Sequence, residues 1–436
     1  MPRRRSNPHP FQSSMDKLIV EGGHKLSGRL NISGSKNASL PILAASLLTD
    51  DPVRISRVPD VSDTNYMIQI LSQLGASVER SSGTVRIESP DGISSSASYE
   101  QVRKMRASIC LLGPMMARMK RCTLPLPGGC VIGDRPVDLH VKAIQALGAR
   151  VRVKGGNMLI EAPNGLVGTT VDMRGDNGPT VLGTDNLMMA AVLARGTTVI
   201  ESAAREPEVV DLANFLNKMG AKIRGAGTDT IKIDGVEKRH GARHTVIPDR
   251  IETATFMLAA AITRGAIAIN NCIPDHVKPV IAKLRECGVR IEVHEDSMIV
   301  RGDLGPHNAA NIKTLPYPGF PTDVQSPFMA YLTTVEGQSE VIETVFENRF
   351  MHVTQLDKMG AMIDISGNKA IIRGNSHLRG SQVMATDLRA GAALVLAGFV
   401  ADGETEVSEI YHIERGYEHF IEKFAKLGGT IRKVEN

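Results

Sequence analysis

A short motif that recurs six times constrains the fold of this chain more than any other feature of its sequence. It reads LGASVER, LGARVRV, MGAKIRG, CGVRIEV, MGAMIDI and LGGTIRK, and its glycines lie 68 to 73 residues apart. These glycines are Gly75, Gly148, Gly220, Gly288, Gly360 and Gly428. Apolar residues at helical spacing precede them, as in Leu212, Phe215, Leu216 and Met219, and predict an amphipathic helix that ends there. Glycine then supplies the left-handed position after the helix, before an alternating strand.

Each unit also contains a second helix, rich in Ala, Leu and Met. Examples are DNLMMAAVLARGTTVIE, TATFMLAAAITRGAIAIN and LRAGAALVLAGFVADGETEV. Helices that are apolar on nearly all faces are expected only where sheets and sister helices surround them. Units of about 70 residues exceed the length of common solenoid repeats, and six of them divide naturally into two domains of three. The sequence therefore predicts the α/β fold class, with two similar domains of pseudo-threefold symmetry.

Composition excludes several classes of protein. The 436 residues include 51 lysines and arginines against 47 aspartates and glutamates, a balance too even for a protein that coats nucleic acid. The longest apolar stretch, residues 390–401, is shorter than the ~20 residues of a membrane span. Residues 1–14 are charged and lack an apolar run, so we expect a disordered extension and a cytoplasmic protein. Five cysteines without a CxxC motif predict free thiols, and we expect no metal or cofactor.

Polar and charged residues recur where the buried helices are predicted to start. In chain order they are Lys36 and Asn37, Arg106, residues 180–186, Asp249 and Arg250, Asp323, and Arg389. Helix N-termini carry unpaired N–H groups and a partial positive charge, so converging N-termini attract anions. Helix capping by Asp, Thr or Asn is an equally good explanation for some of them. Capping does not account for the cations, which predict an anionic ligand.

Longer segments around these positions resemble one enzyme family. They are GSKNASLPILAASLL, LPGGCVIGDRPVDLH, AAREPEVVDLANFLNKMGA, IPDRIET, YPGFPTDVQ, ENRFMHV, ATDLRAGAALVLAG and IYHIERGYE. From about residue 15 to the C-terminus, the chain is similar to the UDP-N-acetylglucosamine 1-carboxyvinyltransferase family. The resemblance implies two inside-out α/β domains, each of three repeats. Residues 15–35 plus 248–436 would carry Asp323, Arg389 and Arg415, and residues 36–247 would carry Lys36, Arg106 and the Cys130 loop.

The resemblance also implies a reaction. Members of this family transfer the enolpyruvyl group of phosphoenolpyruvate to the 3′-hydroxyl of UDP-N-acetylglucosamine and release phosphate, which is the first committed step of peptidoglycan synthesis. Addition and elimination pass through a tetrahedral ketal. The reaction needs a base for the hydroxyl, an acid for the methylene carbon, and cations for a phosphate and a carboxylate.

Residue roles follow from the matching motifs. Asp323 matches the aspartate beside the sugar hydroxyl, although it could instead cap the following helix. Cys130 matches the mobile-loop cysteine that protonates the methylene and is alkylated by the epoxide fosfomycin. The predicted catalytic residues are Cys130, Asp323, Lys36 and Arg415. The predicted phosphoenolpyruvate-binding residues are Lys36, Arg106, Cys130, Arg135, Arg389 and Arg415, whose arginines suit paired hydrogen bonds to phosphate and carboxylate.

The nucleotide sugar is expected to bind along a second set of residues. They are Asn37, Arg106, Arg135, Pro136, Val137, Asp138, Leu139, His140, Thr180, Val181, Asp323 and Val345. Within this set the run VDLH also reads as the start of an amphipathic helix, and both interpretations can hold. Glu206 and Asp249 match polar cleft positions, where ordinary salt bridges are nearly as good an explanation. Leu182 stands where the family usually has glycine, and Asp134 where it has a small residue, so the diphosphate contact there is in question.

Other functions remain open at this stage. The sister enzyme that acts on shikimate 3-phosphate shares the fold but lacks the GGC loop and the RPVDLH segment. A protein that binds or processes nucleic-acid ends would need a basic surface and stacking aromatics, yet only 4% of residues are aromatic. A noncatalytic repeat scaffold would not explain charges at helix starts. We expect a monomer acting on small molecules, with no nucleic-acid or membrane partner.

Overall fold

In the described part of the chain, six β-sheets of three or four strands and the helices packed on them account for the six predicted units, and a seventh sheet has only two strands. The computed structural model describes residues 16–102, 105–126, 137–176 and 178–435. In these ranges the helices are α1 Lys36–Ala45, α2 Ser62–Leu74, α3 Tyr99–Val102, α4 Leu112–Met119, α5 Asp138–Ala146, α6 Val181–Ala191, α7 Pro207–Lys218, α8 Arg250–Ile262, α9 Lys278–Glu286, α10 Gln325–Leu332, α11 Val353–Lys358, α12 Leu388–Gly398, α13 Tyr411–Glu414 and α14 Phe420–Lys426. Short 3₁₀ segments occupy Ser46–Leu48, Arg106–Leu111, Pro274–Val277 and Thr322–Val324.

The strands of the described ranges are short, and each has five residues or fewer. They are β1 Lys17–Glu21, β2 Ser27–Asn31, β3 Val53–Ser56, β4 Ser77–Ser81, β5 Thr84–Glu88, β6 Arg121–Pro125, β7 Arg150–Lys154, β8 Asn157–Glu161, β9 Thr170–Asp172, β10 Arg174–Gly175, β11 Gly178–Pro179, β12 Thr197–Glu201, β13 Lys222–Arg224, β14 Thr230–Asp234, β15 Arg243–Thr245, β16 Ala266–Asn270, β17 Arg290–Val293, β18 Ser297–Arg301, β19 Ile312–Lys313, β20 Gln338–Ile342, β21 Met362–Ser366, β22 Lys369–Arg373, β23 Gln382–Met384, β24 Glu404–Ser408 and β25 Ile431–Val434.

One strand order recurs around the molecule. β3 lies parallel to β15 and antiparallel to β5, which pairs with β4. The same arrangement orders β9-β12-β14-β13, β2-β16-β18-β17 and β19-β20-β22-β21. In the sheet β23-β24-β1-β25, the N-terminal strand β1 lies antiparallel between β24 and β25. The chain therefore returns to build sheets from its two ends, with β1 and β2 joining strands of the C-terminal half.

The repeat glycines adopt the predicted conformation. All six have φ between +89° and +107°, where a residue with a Cβ atom is strained. The backbone amide of the residue after each glycine donates to the carbonyl oxygen of the residue four positions before that glycine, at 2.9–3.2 Å. This 6→1 bond is the Schellman ending of a helix. The prediction that these glycines end one helix in every unit is confirmed.

The apolar helices lie inside and the sheets outside. Every residue from Ile251 to Ile262 in α8, and from Arg389 to Gly398 in α12, is buried. Two separate hydrophobic cores are formed, one by residues 18–32 together with 251–431, the other by residues 38–246. The predicted fold class, two inside-out α/β domains built from six repeats, is confirmed.

Two of the buried helices start differently from the prediction. A 3₁₀ segment at Arg106–Leu111 precedes α4, and another at Thr322–Val324 precedes α10. Pro114 and Pro327 stand at the third position of these α-helices. Proline has no N–H to bond the carbonyl four residues earlier, so the preceding turn takes the tighter 3₁₀ form.

Candidate active site

The starts of α1 and α8 are tied together where the chain crosses between its two halves. Asp249 caps α8, since its Oδ1 accepts from the amides of Ile251 and Glu252 at 2.8 and 2.9 Å. Its Oδ2 accepts from the backbone amide of Lys36 at 3.2 Å, at the first position of α1. Asp249 thus places the Lys36 side chain at the meeting point of the two halves. Capping, rather than ligand contact, explains Asp249 in this structure.

A buried carboxylate joins two of the predicted cations. Asp63, in the first turn of α2, is only 2% exposed. Its Oδ1 accepts from Arg415 Nε at 2.9 Å, and its Oδ2 lies 3.4 Å from Lys36 Nζ. Burial lowers the pKa of Lys36, and the nearby charges of Arg389 and Arg415 act in the same direction, while Asp63 opposes them. Lys36, Arg389 and Arg415 therefore lie close enough to repel one another.

A second carboxylate lies beside this group. Asp323 Oδ1 accepts from Arg349 Nη2 at 2.8 Å, and Asp323 Oδ2 accepts from Arg389 Nη2 at 3.1 Å. Both guanidinium side chains are nearly inaccessible, at 2% and 3% exposed, whereas the Asp323 side chain is 26% exposed. Its carboxylate caps neither the 3₁₀ turn nor α10. The capping explanation for Asp323 is wrong, because its carboxylate pairs with two buried arginines and neither helix start uses it as a cap.

The tyrosine of the motif IYHIERGYE supports Arg389 from the other side. The Arg389 guanidinium lies 5.3 Å from the centre of the Tyr417 ring. The Tyr417 hydroxyl is 2.8 Å from Thr255 Oγ1 of α8. This stacking restricts Arg389 and leaves its charged fork facing Asp323.

Two carboxylates, Asp63 and Asp323, thus pair with four cations, which are Lys36, Arg349, Arg389 and Arg415. Concentrating that much positive charge in a largely buried place is costly unless an anion joins it. Arginine forks and an ammonium are suited to the oxygens of a phosphate or carboxylate. The arrangement can therefore bind a multiply charged anion beside a carboxylate that can accept a proton.

Several of the predicted nucleotide-sugar residues lie at the starts of two neighbouring helices, α5 and α6. Val137 immediately precedes α5, and Asp138 begins it and is exposed. Thr180 caps α6 by accepting from the Gly183 amide at 3.2 Å, and half-buried Val181 is the first residue of that helix. Half-buried Leu139 lies near Gly175, where an added Cβ would approach its side chain to 3.1 Å.

His140 is instead a residue of the interior. It is 6% exposed, and its Nδ1 accepts from the Asn186 amide at 2.9 Å. Burial lowers the pKa of His140 to about 4, helped by the charge of Arg106 and opposed by that of Asp138. Arg106 is therefore placed near the start of α5. The structure supports a packing role for His140 rather than a direct ligand contact.

The two halves also touch at a second place. The Tyr317 amide donates to Glu206 Oε1 at 3.4 Å, and an added Cβ on Gly178 would lie 2.9 Å from Pro316. Burial raises the pKa of Glu206, which Arg250 partly opposes. The halves therefore meet here as well as at Asp63.

Val345 lies in a loop that is organised by a carboxylate. Glu343 is 2% exposed and accepts from the Val345 amide at 2.8 Å and from the Thr322 hydroxyl at 2.9 Å. Because Thr322 precedes Asp323, this carboxylate connects the Val345 loop to the Asp323 turn. Asn37 follows Lys36 on α1 and is half-buried.

Three predicted site residues, Cys130, Arg135 and Pro136, lie outside the described residues, as does the unusual Asp134 and the predicted extension of residues 1–14. The four remaining cysteines, Cys110, Cys122, Cys272 and Cys287, are buried free thiols, as predicted. Burial raises the pKa of Cys272 to about 11, so it is not a reactive thiolate. In the described ranges, no group of three or more His, Cys, Asp or Glu side chains is placed to hold a metal ion.

Comparison with known proteins identifies the family. A family model described as EPSP synthase (3-phosphoshikimate 1-carboxyvinyltransferase) matches residues 20–424. A protein of Akkermansia muciniphila named UDP-N-acetylglucosamine 1-carboxyvinyltransferase is 60% identical over 422 residues, covering 96% of this chain and 99% of that protein. The chain belongs to the UDP-N-acetylglucosamine 1-carboxyvinyltransferase family. Members from Carboxydothermus hydrogenoformans and Staphylococcus aureus are 54% and 48% identical, each over 97% of this chain and their own full length.

Solved structures support the fold of the family. The enolpyruvyl transferase NikO from Streptomyces tendae superposes with a TM-score of 0.88 at 24% identity, over 97% of this chain and all of its own. An EPSP synthase from Acinetobacter baumannii gives a TM-score of 0.76 at 17% identity, over 96% of this chain and its full length. At such identities the likeness concerns the fold alone. No helix in the described part of the chain is long and apolar enough to cross a membrane.

Two residues of the charged cluster, Arg349 and Asp63, were not predicted from the sequence. Arg349 lies in the motif ENRFMHV, so the resemblance of that segment was a usable indication of its importance. Asp63 lies in VSDTNYM, where an acid in the first turn of a helix is ordinary and indicates nothing further. Only its contacts with Lys36 and Arg415 distinguish it.

Proposed function

We propose that this protein transfers the enolpyruvyl group of phosphoenolpyruvate to the 3′-hydroxyl of UDP-N-acetylglucosamine and releases phosphate, at the start of peptidoglycan synthesis. The names of relatives 48–60% identical over nearly the whole chain support this acceptor. These names favour UDP-N-acetylglucosamine as the acceptor over shikimate 3-phosphate, the alternative that the description of the family model raises.

One observation carries the proposed chemistry. Lys36 and Arg415 come from opposite ends of the chain and meet on the same buried carboxylate, Asp63, within electrostatic reach of Arg389. Phosphoenolpyruvate brings a phosphate and a carboxylate, which are the anions that these three cations can bind. We propose that its phosphate takes the place of Asp63 as their partner. Asp63 would then keep the cations together while the site holds no substrate.

Asp323 is the proposed base. In the addition step the sugar 3′-oxygen attacks C2 of phosphoenolpyruvate, the hydroxyl proton passes to the Asp323 carboxylate, and the methylene carbon takes a proton. Loss of a methyl proton then expels phosphate from the ketal and restores the double bond. Arg349 would hold Asp323 in place throughout, since it is almost wholly buried and Asp323 is partly open.

The remaining roles come from the matching motifs. Cys130 would protonate the methylene carbon, and Arg106 and Arg135 would bind phosphoenolpyruvate and the diphosphate. Asn37, Pro136, Val137, Asp138, Leu139, Thr180, Val181 and Val345 would hold the nucleotide sugar. For His140 we propose support of the α5 start through Asn186 rather than direct contact.

The domain organisation is part of the proposal. We propose that residues 15–35 plus 248–436 form one domain and residues 36–247 the other, which the two separate cores and the pairing of β1 and β2 support. Nucleotide sugar would draw them together and exclude water from the ketal. We also propose that the protein acts as a cytoplasmic monomer without a cofactor.

Phosphate release in the presence of phosphoenolpyruvate tests the acceptor and the cation cluster together. We expect turnover with UDP-N-acetylglucosamine and none with shikimate 3-phosphate. Arg415→Gln should lower kcat/KM for phosphoenolpyruvate at least about tenfold, because it removes a charge-assisted contact. The matched control is Arg432→Gln, an exposed arginine 3.6 Å from Glu404, which should behave as wild type. Turnover with shikimate 3-phosphate alone would disprove the assignment.

A further inference from the structure

A cationic pocket lies at the edge strand β15 of the sheet β15-β3-β5-β4, away from the residues described above. Its volume is about 420 Å³, and it is lined by Arg54, Ser56, Lys218, Arg243, His244 and Thr245. A second pocket of about 320 Å³ shares Arg54 and Arg243 with the first pocket and is also lined by Arg86. None of these residues belongs to the proposed catalytic cluster.

Strand register places three arginines in one row. Arg243 on β15 is the direct neighbour of Arg54 on β3, and Arg54 is the direct neighbour of Arg86 on β5. All three side chains are on the exposed face. Like charges that face each other across strands destabilise a sheet, so such a row needs a reason.

The charge of Arg86, at one end of the row, is neutralised by carboxylates. Arg86 pairs with Glu88 and lies 3.6 Å from Glu79. Within the described ranges, no carboxylate lies within 4.0 Å of the guanidinium groups of Arg54 or Arg243. Asp51, just before β3 in the chain, accepts from the Gly241 amide at 3.2 Å. Two adjacent arginines, Arg54 and Arg243, therefore have no partner charge among the residues that the structure describes.

A third cation is positioned over the same pocket by a buried pair. His244 Nδ1 lies 3.3 Å from Lys218 Nζ, and His244 Nε2 lies 2.9 Å from Asp211 Oδ1. An ammonium can only donate, so Nδ1 accepts from Lys218 and the Nε2 hydrogen goes to Asp211. The His244 and Asp211 side chains are 3% and 4% exposed, which makes this support rigid. Lys218 keeps donors for a ligand.

Hydroxyl groups complete the lining. Thr245 is the direct neighbour of Ser56 in the same parallel pair of strands, one step along the exposed face from the arginines. Two arginine forks, one ammonium and two hydroxyls are the donor set that binds phosphate oxygens. We infer that this pocket is a second anion site, which binds a small molecule carrying a phosphate or diphosphate group.

Binding of inorganic pyrophosphate, measured by isothermal titration calorimetry, tests the site in the full-length protein. The test variant is Arg54→Gln/Arg243→Gln, and the matched control is Arg150→Gln/Arg152→Gln, which removes two exposed arginines from β7 of the next sheet. We expect wild type and control to share a binding component that is at least about tenfold weaker in the test variant. Lys218→Gln should weaken the same component without changing the arginines. KM for phosphoenolpyruvate should be the same in all these proteins.

A thermal melt separates loss of the site from loss of the fold. Since the arginine pair is repulsive, the test variant should unfold at the same temperature as wild type or a higher one. Equal pyrophosphate binding by wild type and test variant would overturn the inference. The inference would also be overturned if pyrophosphate did not bind and a nucleic-acid oligomer bound wild type but not the test variant.

Discussion

Replacing Asp323 by asparagine keeps the shape of the side chain but removes its ability to accept a proton. Loss of a general base typically slows turnover ~10²- to 10⁴-fold, which is about 3–5 kcal/mol in activation free energy. We therefore expect Asp323→Asn to lose at least about 100-fold in kcat, with KM for both substrates within a few-fold of wild type. The measurement is phosphate release under saturating and limiting substrate.

The same substitution should also lower the free energy of unfolding. The contacts of Asp323 set limits on the size of this loss. Breaking a buried ion pair costs about 3–5 kcal/mol, and Asp323 pairs with two arginines that are almost wholly buried. Because the Asp323 side chain is 26% exposed, water replaces part of the lost interaction. We expect a loss of about 1–3 kcal/mol in the free energy of unfolding, which leaves the protein folded at room temperature.

A matched control separates these two effects. Asp364→Asn removes a carboxylate 2.8 Å from Arg373 on the same half of the molecule, where both side chains are more than 60% exposed. It should change the free energy of unfolding by less than about 1 kcal/mol and leave kcat unchanged. If Asp323→Asn is folded and its kcat is within tenfold of wild type, Asp323 is a counter-ion for the arginines and not the base.

Three further predictions concern the helices and the loop. Since the folded protein holds His140 neutral, with its pKa lowered to about 4, the unfolded chain binds more protons between about pH 4 and 6.5, and stability should rise with pH across this window. His140→Gln should reduce that rise, by up to about 3 kcal/mol in urea titrations. Gly148 has φ of +96°, and no atom lies within 4 Å of an added Cβ. Gly148→Ala should therefore lower the free energy of unfolding by about 1 kcal/mol through backbone strain alone, and Gly148→Asn should lower it less. Equal losses in the two variants would contradict the strain argument. From the family resemblance, Cys130→Asp should stay active with a lower pH optimum and resist fosfomycin, while Cys130→Ala should be nearly inactive, as pH–rate profiles would show. Inactivation of the aspartate variant by the epoxide would refute this role.

Residues that act locally could be predicted from the sequence. The six glycines end helices because each responds to the few residues before it, and those residues are adjacent in the chain. The same holds for the buried helices, whose uniform apolar composition required that protein surround them. Matching motifs also predicted Asp323, Arg389 and Arg415 as site residues, and the structure places all three in the charged cluster around Lys36. The start of α10 at Gln325 was missed because the proline within it acts on a turn that simple periodicity does not distinguish.

The sequence by itself determined the six units and the left-handed glycine that ends one helix in each, and it predicted anion binding at the helix starts. Only the tertiary structure decided which charges are partners. Asp63 and Arg415 are 352 residues apart, and no local pattern relates them, yet the two halves bring them to 2.9 Å. Arg54 and Arg243 likewise become neighbours only because β15 returns to lie parallel to β3. Helix and turn preferences depend on adjacent residues, whereas ion pairs depend on distances set by packing of the whole chain, so the first can be predicted from sequence and the second cannot.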